Sequence, residues 1–144
     1  AVADKIVEFP DYETYITAYH SRWPEMIGGP ILDSVAIFDD LRQAHFPTAA
    51  LSNWPPETFQ TVKQNLHFLN WFDEVILSSE VQMAKPDPQI YHVLLNRLGR
   101  RSQECVFIDD SIANIQSARQ LGFQVIHFQS PNQLRSALSK LGIL

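Results

Sequence analysis

The chain has 144 residues, of which 45% are hydrophobic and 19% are charged, and its formal net charge is -5. This balance predicts a folded globular domain, and the acidic charge argues against a nucleic-acid-binding protein, which usually carries a basic stripe. No apolar run approaches the roughly 20 residues of a membrane helix, so no membrane association is expected. The single cysteine, Cys105, cannot form an internal disulfide, and no signal peptide is visible, so a cytoplasmic location is expected.

The first third of the chain is predicted to be helical. Asp11 can cap a helix over residues 12–19, where aromatic and apolar side chains recur at helical spacing, and Pro24 should end it. The Gly-Gly-Pro stretch at 28–30 is the clearest linker in the sequence. A second helix is predicted to follow, with Asp33 as its N-terminal cap.

From residue 48 onward, short apolar strands alternate with helices. Strands are predicted at 48–51, 75–78, 106–108 and 124–128, and helices at 56–66, 88–98, 112–121 and 131–141. This alternation predicts an α/β fold in which a parallel sheet has helices on both faces. Because ligands bind at the carboxyl ends of the strands in such sheets, the residues that follow each strand are the candidates for chemistry.

Polar side chains follow three of the predicted strands. Ser52 and Asn53 follow the first, Lys85 lies in the loop after the second, and Asp109 and Asp110 follow the third. A hydroxyl and backbone N–H groups can hold phosphate oxygens, a lysine can neutralise a phosphoryl group, and carboxylates are ligands for Mg²⁺. Taken singly, the Ser-Asn pair indicates a helix cap and the lysine a surface residue, so the combination carries the prediction of a phosphate and metal site.

The segments around these residues resemble the motifs of haloacid dehalogenase-like (HAD) superfamily hydrolases. Leu-Ser-Asn at 51–53 resembles the second motif, Lys-Pro-Asp-Pro-Gln-Ile-Tyr at 85–91 the third, and Phe-Ile-Asp-Asp-Ser-Ile-Ala-Asn at 107–114 the fourth, in its double-aspartate form. The resemblance covers residues 31–144 and implies a Rossmann-like HAD core. Residues 1–30 then resemble the remnant of a helical cap.

The resemblance implies a role in substrate binding for the residues of the second and third motifs. Ser52 would bind the phosphate of a small phosphorylated substrate, together with backbone N–H groups near Asn53. Lys85 would stabilise the pentacoordinate phosphorus and the aspartyl-phosphate. Trp54 and the cap residues would tune the choice of substrate.

The fourth motif implies a Mg²⁺ site. Asp110 would bind the ion directly and Asp109 through a water molecule, while Asn114 would not bind the ion but would hold these carboxylates in position. Since the 2-haloacid dehalogenases need no metal and differ at this motif, the aspartate pair favours a Mg²⁺-dependent phosphomonoester phosphatase. A 2-haloacid dehalogenase stays open as an alternative.

The first motif of the family, a strand that ends in Asp-x-Asp and supplies the nucleophile, has no match in this sequence. The nearest candidate is Ala-Ile-Phe-Asp-Asp-Leu at 36–41, which has Leu41 in place of the second aspartate and a helical periodicity. We therefore expect a truncated chain with half of an active site, inactive by itself. The alternative is a non-catalytic homologue that binds phosphate, Mg²⁺ or a partner chain.

The resemblance also implies that the missing strand lies between the strands that end at Ser52 and Asp110. Without it, two sheet edges would stay unpaired in an apolar interior, which is costly. The chain could be part of a longer enzyme, or a partner chain could donate the strand, including by domain swapping. The remaining possibility is repacking, in which the two strands pair directly or Lys-Ile-Val-Glu-Phe at 5–9 fills the gap as a strand.

Overall fold

The computed structural model describes residues 2–22, 25 and 28–144, so the helix end predicted at Pro24 lies outside the described residues. Helices run over Val2–Glu8 (α1), Glu13–Ser21 (α2), Leu32–Gln43 (α3), Pro56–Asn65 (α4), Ser78–Val81 (α5), Pro88–Leu98 (α6), Ile112–Gln120 (α7) and Pro131–Lys140 (α8). Strands run over Ala49–Ser52 (β1), Glu74–Leu77 (β2), Val106–Asp109 (β3) and Gln124–His127 (β4). In the described part of the chain, no helix has the length and apolar character needed to cross a membrane.

The elements after residue 48 follow the prediction closely, because their ends carry strong local signals. Helix α6 occupies Pro88–Leu98, as predicted; Asp87 accepts a hydrogen bond from the backbone N–H of Gln89, and Gly99 ends the helix with a φ of 60°. Helix α8 begins in the same way, with a hydrogen bond from the backbone N–H of Gln133 to the hydroxyl of Ser130.

Both helices predicted in the first third are present, but the capping roles predicted for Asp11 and Asp33 are wrong. Asp11 lies inside a 3₁₀ turn over Pro10–Tyr12, and α2 begins only after it. Helix α3 begins at Leu32 with Ile31 at the capping position, and Asp33 makes no capping hydrogen bond. An aspartate stabilises the first turn of a helix as well as its cap, so the residue type alone does not fix the start.

Residues 5–9 do not form the strand that the repacking alternative requires. Most of them belong to α1, where Lys5 and Glu8 form an ion pair of 2.7 Å one turn apart. Helix α1 packs against α2, and none of its described residues is buried. The assignment of residues 1–30 to a cap remnant, and of 31–144 to the core, stays a prediction.

The strands are covered by helices on both faces, which confirms the predicted α/β architecture. Successive residues of β3 alternate between two apolar clusters: Phe107 belongs to one, and Val106 and Ile108 pack against the other. The first cluster joins β2, β3, α6 and α7, and its buried members are Ile76, Ile90, Tyr91, Leu94, Phe107, Ile115, Ala118 and Phe123. The second joins α3, β4 and α8 through Ile37, Ile126, Leu134 and Leu138.

The strands form two separate parallel pairs, β1 with β2 and β3 with β4. Ala49 lies opposite Glu74 in the first pair, and Val106 lies opposite Gln124 in the second. Between the pairs is a cleft of about 800 Å³, whose walls include residues 48–51 of the first pair and 105–108 of the second. The alternative in which the two strands pair directly is therefore wrong.

Candidate functional site at the carboxyl ends of the strands

The end of β1 is tied to the loop that follows β2 by one side chain. The amide of Asn53 donates a hydrogen bond of 3.0 Å to the carbonyl of Lys85 and accepts one of 3.0 Å from the Lys85 backbone N–H. This two-point contact fixes the position of the lysine backbone at the edge of the sheet. Both ends of the Asn53 amide are thereby occupied by the backbone of Lys85.

The side chain of Lys85 points across the cleft to β3. Its Nζ lies 2.7 Å from Oδ2 of Asp109, and the two side chains are only 14% and 7% exposed. The ammonium also lies 5.9 Å from the centre of the Phe107 ring. The interpretation of Lys85 as a solvated surface residue is therefore wrong, because its charge is held at a largely buried position where a carboxylate balances it.

The second oxygen of Asp109 is held by N–H donors of its own loop. Oδ1 accepts hydrogen bonds of 2.8 Å from the backbone N–H of Ser111 and of 2.9 Å from the side chain of Asn114. Burial acts to raise the pKa of Asp109, but the Lys85 ammonium and these two donors outweigh it and hold the pKa below its ordinary value of 3.8. Asp109 is therefore a fixed carboxylate anion.

Ser52 ends β1 and does not cap a helix, since α4 begins at Pro56 with Pro55 at the capping position. Its hydroxyl oxygen accepts a hydrogen bond of 3.1 Å from the backbone N–H of Trp54. A serine hydroxyl that accepts a bond keeps its own hydrogen, so Ser52 can still donate to an anion at this edge.

Asp110 differs from its neighbour Asp109 in environment. Its side chain is exposed and makes no hydrogen bond or ion pair with any residue of the described ranges, while its carbonyl lies 2.9 Å from Nε2 of His127. No group of three or more His, Cys, Asp or Glu side chains that could hold a metal exists in the described part of the chain. Two carboxylates still suit Mg²⁺, which uses one or two of them and completes its shell with water or substrate oxygens.

Two residues of this edge were not predicted from the sequence. Tyr91 is fully buried and donates a hydrogen bond of 3.1 Å to the carbonyl of Asn114; burial, together with the Asp109 charge, raises the pKa of Tyr91 to about 12. His127 ends β4 beside Asp110. Its place at a strand end was a signal in the sequence, whereas the contact of Tyr91 depends on how α6 packs against α7.

The predicted residues therefore fall into two groups. Direct hydrogen bonds join Asn53, Lys85, Asp109 and Asn114 into one network. Ser52 and Asp110 adjoin this network in the chain, and among the described residues their side chains make no bond to its members. The edge thus presents the hydroxyl of Ser52 and the exposed carboxylate of Asp110 beside the buried ion pair of Lys85 and Asp109.

Comparison with known proteins gives the family of this fold. A family model described as haloacid dehalogenase-like hydrolase matches residues 11–122. The chain is 28% identical over 113 residues to (S)-2-haloacid dehalogenase 2 of Pseudomonas sp. (strain CBS-3), covering 78% of this chain and 48% of that protein. It is 29% identical over 83 residues to 6-phosphogluconate phosphatase of Escherichia coli (strain K12), covering 57% of this chain and 38% of that protein.

A solved structure supports the same fold. A HAD family enzyme from Bacteroides thetaiotaomicron, crystallised in complex with magnesium and inorganic phosphate, superposes with a TM-score of 0.60 and 24% identity, over 78% of this chain and 69% of that one. The chain spans about half the length of the Pseudomonas dehalogenase and less than half that of the phosphatase. From the family match and the fold together, this chain belongs to the haloacid dehalogenase-like hydrolase family.

Proposed function

We propose that this chain contributes the phosphate-binding and metal-binding half of a Mg²⁺-dependent phosphomonoester hydrolase. The observation that carries the proposal is the largely buried pair of Lys85 and Asp109 at the carboxyl edge of the strands. A buried cation beside a fixed carboxylate is costly to maintain for stability alone, and such perturbed pairs cluster at functional sites. The proposal also includes a cytoplasmic location.

Lys85 and Ser52 supply the phosphate contacts in this proposal. The Lys85 ammonium has three N–H donors, of which one bonds to Asp109, so the others can donate to phosphate oxygens. Ser52 adds its hydroxyl hydrogen from the end of β1. Asn53 acts as a positioning residue, since its amide holds the backbone of Lys85.

Asp109 and Asp110 are the proposed metal-binding residues. Mg²⁺, when bound, would neutralise charge on the phosphoryl oxygens. Asp110 offers an exposed carboxylate, and Asp109 is an anion whose orientation Ser111 and Asn114 fix. The Bacteroides enzyme that binds magnesium and phosphate shares the fold, so the fold can hold this pair of ligands.

The nucleophile is the part of the site that these residues do not supply. The sequence contains no Asp-x-Asp segment, and the candidate at 36–41 lies within α3. We therefore propose that the 144-residue chain is inactive by itself. A non-catalytic homologue would also bind phosphate without turnover. Whether the chain is half of an active site or such a homologue, the proposal requires the same phosphate-binding and metal-binding residues.

The second candidate function is dehalogenation of a 2-haloacid, which the Pseudomonas relative favours. Calorimetric titration distinguishes the phosphatase proposal from the dehalogenase proposal. The chain is titrated with orthophosphate, with and without Mg²⁺, and then with 2-chloropropionate. We expect orthophosphate to bind at least about tenfold more tightly with Mg²⁺, because the ion offsets repulsion between the phosphate and the two aspartates.

The same titration is made with two variants, each of which replaces one lysine by methionine, one at the site and one at the exposed surface. Lys85→Met should weaken orthophosphate binding by about tenfold or more, whereas Lys140→Met, at the exposed end of α8, should leave it unchanged. Binding of 2-chloropropionate with no response to Mg²⁺, and no binding of orthophosphate, would replace the phosphatase proposal with the dehalogenase one.

A further inference from the structure

The end of β4 contacts the backbone of both aspartates of the fourth motif. His127 lies opposite Asp109 in the parallel pair of β3 and β4, and the backbone N–H of Phe128 donates a hydrogen bond of 2.9 Å to the Asp109 carbonyl. One residue further along the aspartate pair, the carbonyl of Asp110 lies 2.9 Å from Nε2 of His127. Two neighbouring residues at the end of β4 thus bind two consecutive carbonyls of the loop that carries the proposed metal ligands.

The chemistry of the second contact fixes a hydrogen on one ring nitrogen of His127. A carbonyl oxygen can only accept a hydrogen bond, so Nε2 must be the donor and must carry a hydrogen. Both the charged ring and the neutral ring with its hydrogen on Nε2 meet this condition, so the bond does not require a charge on the imidazole. The side chain of His127 is half-buried, which shields the bond in part from competing water.

The carbonyl of Asp110 lies outside the hydrogen-bond ladder of α7. That ladder begins with a bond of 3.1 Å from the backbone N–H of Ile115 to the carbonyl of Ser111, which is the residue after Asp110. A backbone carbonyl just before a helix needs a donor from another element or from water. The imidazole of His127 supplies that donor from the neighbouring strand.

The two aspartates are therefore fixed in different ways. The carboxylate of Asp109 is held directly by the Lys85 ammonium and by two donors of its own loop. The carboxylate of Asp110 makes no bond to any residue in the described ranges, so its place depends on its backbone. In metal sites, the groups that orient the ligands matter almost as much as the ligands, and the loss of one typically weakens metal binding by about 10- to 100-fold.

We propose that His127 is a positioning residue for the metal-binding carboxylate of Asp110. Its Nε2–H holds the Asp110 carbonyl and thereby the backbone from which this carboxylate would reach the ion. A loop that is already held loses less freedom when the ion binds, so the bond favours metal binding without touching the metal. The inference rests on the proposed function, in which Asp110 binds Mg²⁺.

Calorimetric titration of the 144-residue chain with Mg²⁺ in the presence of orthophosphate tests this role. His127→Leu fills the space of the ring without an N–H donor, whereas the side-chain amide in His127→Gln can place a donor where Nε2 lies. We expect His127→Leu to raise the Mg²⁺ dissociation constant about tenfold, and His127→Gln to change it by less than about twofold. Equal constants for the unchanged chain and His127→Leu would overturn the inference.

The variant Ser130→Ala separates the positioning role from a general loss of stability. The Ser130 hydroxyl accepts a hydrogen bond of 3.2 Å from the backbone N–H of Gln133 at the start of α8, shortly after β4 in the chain. Its loss should lower the urea concentration at the unfolding midpoint and leave the Mg²⁺ dissociation constant unchanged. Mg²⁺ binding that is weakened as much by Ser130→Ala as by His127→Leu would overturn the inference.

A measurement without metal tests the contact itself. Long-range proton–nitrogen NMR spectra of the unchanged chain at about pH 8 should show a hydrogen on Nε2 of His127, and a neutral ring with its hydrogen on Nδ1 would overturn the inference. Should His127→Leu not fold, His127→Asn takes its place with the same expected loss, because the shorter amide does not reach the Asp110 carbonyl.

The titration also distinguishes failure of this inference from failure of the proposed function. An unchanged chain that binds no Mg²⁺ in the presence of orthophosphate would refute the proposed function and with it the role of His127 at the metal. An unchanged chain that binds Mg²⁺, with the same dissociation constant in His127→Leu or in its replacement His127→Asn, would refute the role of His127 alone.

Discussion

At the scale of single residues, the two adjacent aspartates of the fourth motif have different roles in the fold. Asp109 is buried in a network with Lys85 and Asn114, whereas Asp110 is exposed. The sequence placed both at the end of a strand, but it could not show which one the core would enclose. The balancing charge for Asp109 lies 24 residues earlier in the chain, at a distance in sequence that local patterns do not report.

The lowered pKa of Asp109 predicts a stability that depends on pH. The folded-state pKa lies below the ordinary value of 3.8, so this contribution is present above that value and is lost as the pH falls through the folded-state pKa. Asp109→Asn should lower the free energy of unfolding by about 2 kcal/mol at pH 7. Urea unfolding at pH 7, 5 and 3 should show the difference from the unchanged chain shrinking below pH 4.

The control for this series is Asp110→Asn, which removes an exposed carboxylate next in the chain. Its effect on unfolding should stay within about 0.5 kcal/mol at every pH, as for most surface substitutions. Equal effects of the two substitutions would mean that the pair of Lys85 and Asp109 does not stabilise the fold.

The positioning role of Asn53 gives a second prediction. Asn53→Ala removes both hydrogen bonds to the Lys85 backbone and should lower stability by about 2 kcal/mol. It should also weaken orthophosphate binding, because the lysine loses its fixed place. Asn65→Ala, which removes one exposed hydrogen bond within α4, is the matched control for unfolding and for phosphate titration and should change both very little. Unchanged phosphate binding in Asn53→Ala would contradict the positioning role.

At the scale of secondary structure, the sequence predicted the second half of the chain better than the first. The eight strands and helices predicted after residue 48 begin and end within one residue of their predicted bounds, whereas the short helix α5 was not predicted. Their ends carry specific signals, such as Pro88 at the first turn of α6 and Gly99 in the left-handed region. In the first third the predicted helix starts rested on aspartates, and Asp33 lies in the first turn of α3 without capping it.

This difference between aspartates can be measured. Asp87→Ala removes the hydrogen bond that caps α6 and should cost about 1 kcal/mol of unfolding free energy. Asp33→Ala leaves no capping bond broken and should cost less than about half as much. Thermal or urea unfolding of the two variants side by side checks the prediction, and a larger loss for Asp33→Ala than for Asp87→Ala would contradict the capping roles of these two aspartates.

At the scale of the whole molecule, the fold is a haloacid dehalogenase-like α/β core with a cleft between its two strand pairs. The family resemblance predicted a missing central strand, and the structure has a cleft between β1 and β3 in place of direct pairing. The sequence could not decide between an open cleft and repacking, because that choice depends on packing between elements far apart in the chain. The first buried cluster contains Ile76 of β2 and Phe107 of β3 and so connects the two strand pairs, whereas the second contacts only the pair of β3 and β4.

The most direct test of the claim that this chain carries half of an active site is hydrolysis of p-nitrophenyl phosphate. The purified 144-residue chain is assayed with and without Mg²⁺ beside Asp110→Asn, after orthophosphate titration has shown that the sample binds its ligand. We predict Mg²⁺-dependent phosphate binding and no turnover above the uncatalysed rate, because the sequence contains no Asp-x-Asp nucleophile segment. Turnover that requires Mg²⁺ and disappears in Asp110→Asn would contradict this claim and place a complete site within these residues.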